Sequence, residues 1–152
     1  MKVLLDTNIL LRLDDVAHAQ HHLALAAVER ISACNRSCVI VPQVLYEYWV
    51  VATRPVAVNG LGLDVAHAER VIDDWIRFFP VLLDERGIFT HWRTLVVTHA
   101  VQGKNAHDAR LAAAMQRHQV TELLTFNAGD FKRFPNVRAW TPSDVLSDSV
   151  AL

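Results

Sequence analysis

Short apolar runs alternate with longer segments of helical character along the chain. The runs are continuously apolar and do not alternate with polar residues, which is typical of strands that are covered on both faces. Strands are predicted at 2–6, 38–41, 122–126 and 137–140, and 80–84 is a further candidate. The pattern therefore predicts a buried sheet of about four or five strands.

Helix-forming residues and helix-boundary signals fill the segments between these strands. Pro42 suits the first turn of a helix, and Asp64 and Asn105 suit N-cap positions. Residues 54–63 carry one proline and two glycines and predict a loop, whereas 141–146 predict a capped C-terminal turn. Helices are predicted at 17–34, 43–54, 64–79, 85–101 and 106–120.

Strands that alternate with helices predict an α/β fold with a mostly parallel central sheet. No internal repeat, low-complexity tract or linker interrupts the 152 residues, so we expect a single domain over 1–152. In parallel sheets, functional sites form beyond the carboxyl ends of the strands. Asp6 lies at one such end, and Asn127 and Asp130 follow another.

Charge and cysteine content narrow the function classes. The chain is 52% hydrophobic and 20% charged, which indicates a folded protein. Its net charge of -1 gives no overall attraction to nucleic acids or anionic membranes, so a polyanionic partner would need a local basic patch or a metal ion. Cys34 and Cys38 are too few for a disulfide framework and lack a second ligand pair for zinc, and we expect both to be reduced.

The N-terminal sequence and the hydropathy pattern bear on localisation. Lys2 is followed by only three apolar residues before Asp6, which is unlike a signal peptide. No stretch approaches the roughly 20 apolar residues of a membrane span. We therefore expect a cytoplasmic protein that does not enter a membrane.

Three carboxylates stand at the edges of predicted buried elements, and a fourth lies near a strand end. Asp6 ends the first strand, Glu47 lies beside an apolar stripe on its helix, Asp108 heads a stripe expected to be buried, and Asp130 follows the strand at 122–126. The stripe beside Glu47 consists of Val44, Val50 and Val51, and the stripe below Asp108 consists of Leu111, Ala112 and Met115.

Each carboxylate by itself also fits a structural role. Glu47 could be a solvated residue at the edge of its stripe, Asp108 could support capping by Asn105, and Asp6 and Asp130 could make local turns. Together they are harder to explain, because clustered carboxylates repel one another unless a cation lies among them. Oxygen ligands select Mg²⁺ or Mn²⁺, and such ions in carboxylate clusters promote phosphodiester cleavage.

The order and spacing of these motifs resemble the PIN (PilT N-terminal) domain family, in particular the VapC-like toxins of bacterial toxin–antitoxin pairs. LLDTNILL resembles the first motif, with Asp6 as an acidic ligand and Asn8 as its companion. VPQVLYEYWVVATR is similar to the second motif and places Glu47. NAHDARLAAAMQRHQVTELLTFNAGDF resembles the third and fourth motifs and places Asp108, Thr125, Asn127 and Asp130.

The resemblance implies a three-layer α/β/α fold and an endoribonuclease that depends on Mg²⁺, with Mn²⁺ as a substitute. It also implies RNA as the substrate, a cognate antitoxin as a protein partner, and a homodimer. Asp6, Glu47, Asp108 and Asp130 are then the metal ligands and catalytic carboxylates, and Asn8 and Thr125 orient them. Basic residues near this site are candidates for RNA binding, although ordinary surface charge is an equal alternative; they are Arg12, Lys104, Arg110, Lys132 and Arg133.

One position departs from the family pattern. The fourth motif often has an aspartate where this chain has Asn127, which can ligate only through its neutral carbonyl oxygen. The fourth ligand is therefore either Asn127 or Asp130, and both stay in the catalytic set. Asn127 also favours a hypothesis of another class, a PIN-like RNA- or protein-binding module with an impaired site. Retention of Asp6, Glu47 and Asp108 favours the enzyme.

Overall fold

A four-stranded sheet surrounded by seven α-helices makes up the structure, a computed structural model that describes residues 1–147. The strands are β1 (Lys2–Leu5), β2 (Ser37–Val39), β3 (Glu122–Leu124) and β4 (Arg138–Trp140). The helices are α1 (Thr7–Asp14), α2 (His21–Ala33), α3 (Pro42–Thr53), α4 (Val65–Phe78), α5 (Gly87–Thr98), α6 (Asn105–Arg117) and α7 (Pro142–Leu146). Two short 3-10 helices cover Val56–Val58 and Ala128–Phe131.

The four strands are parallel and lie in the order β2-β1-β3-β4. The chain adds β2 on one side of β1 and later β3 on the other, so the direction of winding reverses between β1 and β3. A crevice opens at such a reversal, outside the carboxyl ends of the strands. Leu5 pairs with Leu124, so the next residues, Asp6 and Thr125, leave the sheet side by side.

Helices cover both faces of the sheet in a three-layer α/β/α arrangement. The composition of β1 requires this cover, because Val3, Leu4 and Leu5 are all fully buried and therefore need apolar partners on both faces. Helices α1, α2 and α7 pack together, and α5 packs on α6. The predicted fold class is confirmed, and the sheet of the described residues is entirely parallel.

Helix α1 has no counterpart among the predicted helices. Its residues Ile9, Leu10 and Leu11 are buried and as apolar as those of β1, so hydrophobicity by itself does not distinguish this helix from a second strand. The change from strand to helix occurs at Asp6, whose backbone is extended and whose Oδ1 accepts a hydrogen bond from the backbone N–H of Thr7 at 2.7 Å. Asp6 therefore ends β1 and is the N-cap of α1.

Two local predictions are wrong. Residues 80–84 do not form a strand. They make one isolated parallel bridge, between Val81 and Ile40, and the backbone hydrogen bonds there involve only Ile40 on the sheet side. Asn105 is the first residue of α6 and not its N-cap. The N-cap is Lys104, whose backbone is already helical and which makes no side-chain capping bond.

Two predicted helix caps are confirmed. Asp64 is the N-cap of α4 and accepts a hydrogen bond from the backbone N–H of His67 at 2.7 Å. Thr141 and Asp144 cap α7 reciprocally, since each side chain accepts a hydrogen bond from the backbone N–H of the other. Both helices thus start where polar side chains satisfy the first free N–H groups.

The cysteines and the helix lengths can be described for residues 1–147. Cys34 is exposed and Cys38 is buried, and neither forms a disulfide. Within residues 1–147, every helix is too short or too polar to span a bilayer. The buried Cys38 thiol has its pKa raised to about 11, mainly by burial, so it is an unreactive core residue.

Candidate functional site

Asp6 lies at the carboxyl end of β1, beside the end of β3. Its backbone N–H donates to the carbonyl of Leu124 at 3.0 Å, which fixes it to the end of β3. Its carboxylate accepts from the N–H of Thr7 at Oδ1, and at Oδ2 from Asn8 Nδ2 at 2.8 Å and Thr125 Oγ1 at 2.5 Å. These bonds hold the carboxylate in one orientation at the edge of the sheet.

Asn8 and Thr125, the two residues expected to orient the site, both contact Asp6 directly. Asn8 also accepts a hydrogen bond from the backbone N–H of Phe126 at 3.0 Å, so its amide is fixed from both ends. Thr125 is fully buried and its Oγ1 accepts from Asn8 Nδ2 and from the N–H of Asn127, each at 3.0 Å. The hydroxyl therefore donates its single hydrogen to Asp6.

Glu47 reaches the same edge of the sheet from α3. Its Oε2 accepts from Thr7 Oγ1 at 2.7 Å, and its Oε1 accepts from Gln43 Nε2 at 2.8 Å. Thr7 directly follows Asp6, so this hydrogen bond joins Glu47 to the start of α1. The exposed His107 lies near as well, with its Nδ1 at 4.0 Å from Glu47 Oε1.

The apolar stripe predicted beside Glu47 is only partly correct. Val44 is fully buried, but Val50 is 58% exposed. The buried face of α3 runs instead through Val44, Tyr48 and Ala52, which are spaced by four residues. Glu47 therefore lies at the edge of the buried face, partly open to solvent.

Asp108 lies in the first turn of α6, and the stripe below it is buried as predicted. Burial is the largest cause of its raised pKa, and the negative charges of Asp130 and then Glu47 raise it further. Arg133 and His107 act in the opposite direction. The second 3-10 helix therefore brings Asp130 close enough to Asp108 for the two carboxylates to repel.

The carboxyl group of Asp6 also has a raised pKa, for which burial is the largest cause. Burial raises its pKa from the ordinary value of 3.8 to about 6, against the opposing effect of hydrogen bonds from Thr125 and Thr7. The negative charges of Glu47 and Asp108 raise it further. Asp6, Glu47, Asp108 and Asp130 thus act on one another as a single acidic cluster.

This cluster predicts an unusual dependence of stability on pH. Below pH 3.8 Asp6 is protonated in both the folded and the unfolded chain, and between 3.8 and about 6 only the folded chain keeps the proton. The stability of the metal-free protein should therefore fall across this window, by about 3 kcal/mol from Asp6. Chemical unfolding of the wild type and of Asp6→Asn between pH 4 and 7 tests this. As the pH rises, the free energy of unfolding of the wild type should fall relative to that of the variant. Parallel curves would refute the raised pKa.

The predicted RNA-binding residues differ in their surroundings. Arg110 is already engaged within the chain, because its Nη1 donates to Gln43 at 3.0 Å and its Nη2 to Asp84 at 2.8 Å. Arg12 donates to Gln20 at 3.2 Å. Lys104 precedes α6, and Lys132 follows the second 3-10 helix, so both elements that carry Asp108 and Asp130 have a lysine beside them.

Two residues of the site, Thr7 and Gln43, have no place in the predicted set. Both are buried, and each donates to one oxygen of Glu47. Gln43 could have been found, because it lies four residues before Glu47 on the same helix and interrupts an otherwise apolar run. For Thr7 only its position next to Asp6 is a signal, since its partner is 40 residues away.

The chemistry of the cluster suits a hard divalent cation. Carboxylate oxygens are the ligands that Mg²⁺ and Mn²⁺ prefer, and a cation would counteract the neighbouring negative charges that, after burial, raise the pKa values of Asp6 and Asp108. In the described part of the chain, no three His, Cys, Asp or Glu side chains already have the geometry of a metal site. The donor type and the uncompensated negative charge are therefore what supports a cation here.

The family model of the PIN domain matches residues 3–137 of the chain. The chain therefore belongs to the PIN domain family. The matched residues include all four carboxylates of the cluster. No curated protein sequence matches the chain significantly.

Several solved structures share the fold. A chain of VapBC2 from Rickettsia felis, bound to a DNA fragment from the promoter, is 19% identical with a TM-score of 0.68, and the match covers 93% of this chain and 98% of that one. VapBC-1 from nontypeable Haemophilus influenzae gives 19% identity and a TM-score of 0.68 over 94% and 99%. A toxin–antitoxin complex from Klebsiella pneumoniae gives 24% and 0.64 over 92% and 97%. At these identities the likeness is one of fold.

Proposed function

We propose that this protein is a Mg²⁺- or Mn²⁺-dependent endoribonuclease that acts as the toxin of a toxin–antitoxin pair. The observation that carries the proposal is that Asp6, Glu47 and Asp108 lie near one another at the carboxyl end of β1 in a PIN domain, where Thr7 binds Glu47 and Gln43 joins Glu47 to the first turn of α6. Repelling carboxylates at the winding reversal of a parallel sheet are costly for folding, and a bound cation gives them a function. VapBC complexes with the same fold support the toxin assignment.

In this proposal Asp6 and Asp108 are the principal ligands of the ion, and Glu47 is a third. When bound, the ion would lower the pKa of water and stabilise negative charge on the phosphate oxygens. The chain's own part is to orient the carboxylates: Asn8 and Thr125 hold Asp6, and Thr7 holds Glu47. No histidine base is required.

For the fourth ligand we favour Asp130 over Asn127. Asp130 lies close enough to Asp108 to raise its pKa, so its carboxylate belongs to the same cluster. Asn127 is held through its backbone N–H by Thr125 and would add no charge. A fourth carboxylate from Asp130 makes an aspartate at 127 unnecessary, which weakens the alternative of an impaired binding module.

The proposal includes protein partners and a cytoplasmic location. The structural neighbours come from toxin–antitoxin complexes, which supports a cognate antitoxin. Large apolar side chains are exposed on α3, α4 and α5, and such surfaces are commonly covered by partners. They include Tyr46, Val50, Ile76, Phe78, Phe89 and Val97. We propose that an antitoxin and a second copy of the chain cover parts of this surface.

Cleavage of RNA by the purified protein tests the function. We expect fragments of defined length from total RNA in the presence of Mg²⁺ or Mn²⁺, loss of cleavage with EDTA, and its return when either ion is added in excess. Single-stranded DNA of matched sequence is the control for RNA specificity. Tight RNA binding without cleavage under any of these ions would favour the binding module instead.

A further inference from the structure

We propose that Gln43 is a positioning residue that holds Glu47 and Asp108 at a fixed separation by tying α3 to the first turn of α6. The inference rests on the proposed function, because it concerns the geometry of the same carboxylate cluster. It assigns to Gln43 no contact with RNA or with the ion.

The side-chain amide of Gln43 is buried, and both of its N–H donors and its oxygen acceptor are hydrogen-bonded. The residue is only 5% exposed. Its Nε2 donates one hydrogen to Glu47 Oε1 at 2.8 Å and the other to the carbonyl of His107 at 2.9 Å. Its Oε1 accepts from Arg110 Nη1 at 3.0 Å. Because the amide faces two acceptors on one side and a guanidinium on the other, its orientation is fixed.

These bonds join the two helices that carry the carboxylates. Gln43 and Glu47 lie on α3, whereas His107 and Arg110 lie on α6 on either side of Asp108. Arg110 is itself held by Asp84 at 2.8 Å, so the α6 end of the connection is anchored to the segment before α5. Gln43 therefore connects α3 to α6 at the turn that contains Asp108.

A connection is needed here because the two carboxylates repel each other. The hydrogen bonds of Gln43 oppose the separation of α3 from the first turn of α6 and the rotation of Glu47 away from Asp108. Thr7 binds only Oε2 of Glu47, so without Gln43 the carboxylate could still rotate about that one hydrogen bond. A neutral amide with two donors suits the position, whereas a glutamate there would add a third negative charge beside Glu47.

The test compares Gln43→Met and Gln43→Asn with the wild type in the purified full chain. Methionine keeps the length and removes both donors, and asparagine keeps the amide but shortens its reach by one methylene. The matched control is Tyr48→Phe on the same helix, which removes one buried hydrogen bond, from the Tyr48 hydroxyl to Asp14 at 2.6 Å, away from the cluster.

We expect both Gln43 variants to weaken Mn²⁺ binding in calorimetry about 10-fold or more, as the loss of groups that orient metal ligands does elsewhere. In RNA cleavage, kcat should fall about 10–100-fold while KM stays within about twofold, because Gln43 orients ligands and touches no substrate. Tyr48→Phe should lower Tm by about 2–10 °C, as the Gln43 variants do, but leave Mn²⁺ binding and kcat within about twofold of wild type.

The outcomes separate the two proposals. A wild type that cleaves RNA and binds Mn²⁺, with Gln43 variants that lose only Tm and match Tyr48→Phe in the other readouts, would overturn the role of Gln43 and leave the proposed function standing. A wild type that neither binds Mn²⁺ nor cleaves RNA would overturn both. If Gln43→Met does not fold, the same comparison with Gln43→Asn decides, because the smaller polar side chain fits the site.

Discussion

Alanine at Asp6 or at Asp108 is expected to lower the rate of RNA cleavage by at least about 10³-fold. Each substitution removes one of the two principal ligands proposed for the ion, and the charge stabilisation lost with the ion is several kcal/mol, at about 1.4 kcal/mol for each tenfold change in rate. In the native host, induction of the wild type should arrest growth, whereas induction of either variant should not. Single-turnover cleavage of a defined RNA and growth curves measure the two effects.

The control for these substitutions must separate lost chemistry from lost structure. Asp6→Ala also removes the cap of α1 and the acceptor for Thr125, so part of its effect is structural. Asp108→Ala on α6 tests the ligand role at a residue that neither caps α1 nor accepts from Thr125. Asp74→Ala on the exposed face of α4 is the matched aspartate control and should retain wild-type cleavage. Cleavage that survives both EDTA and Asp6→Ala would mean that the carboxylates do not carry the reaction.

A divalent cation should raise the melting temperature of the wild type by about 5–10 °C. Binding at 100 times Kd adds about 2.7 kcal/mol of stability, and 1 kcal/mol shifts Tm by about 2–4 °C in a domain of this size. The physical reason is that the cation offsets the burial of these carboxylates and the negative charges of their neighbours, the two causes that raise the pKa values of Asp6 and Asp108. Scanning calorimetry with Mg²⁺, Mn²⁺ and no added ion measures the shift.

Asparagine substitutions sharpen this second experiment. Asp6→Asn and Asp108→Asn remove a negative charge at nearly constant volume, so both should lose most of the response to Mn²⁺. The metal-free Asp108→Asn protein should be at least as stable as the wild type, because a like charge disappears from the cluster. Asp74→Asn should keep the full response. A folded wild type whose Tm does not change in millimolar Mn²⁺ would exclude the cation site.

Local patterns of apolar and charged residues allow the fold class and the main members of the cluster to be predicted from the sequence. Short apolar runs such as 3–5 are typical of strands covered on both faces, and their alternation with helical segments predicts the α/β class. Asp6 is recognisable because a carboxylate at the end of a buried strand is costly without a partner. The stripe of Leu111, Ala112 and Met115 likewise places Asp108 at the head of a buried face.

Tertiary structure was required for what depends on contacts between distant segments. The polar residues Asp6, Thr7 and Asn8 mark the end of β1, but only the hydrogen bond from the Thr7 N–H to Asp6 shows that they start a helix and not a loop. Thr7 and Gln43 act on Glu47 and on α6 across 40 and 64 positions, and no local pattern encodes such pairs. The sequence determined which carboxylates are exceptional, because burial costs follow from local patterns. The three-dimensional fold decided how close they lie and what holds them, because separation and hydrogen bonding depend on how the elements pack.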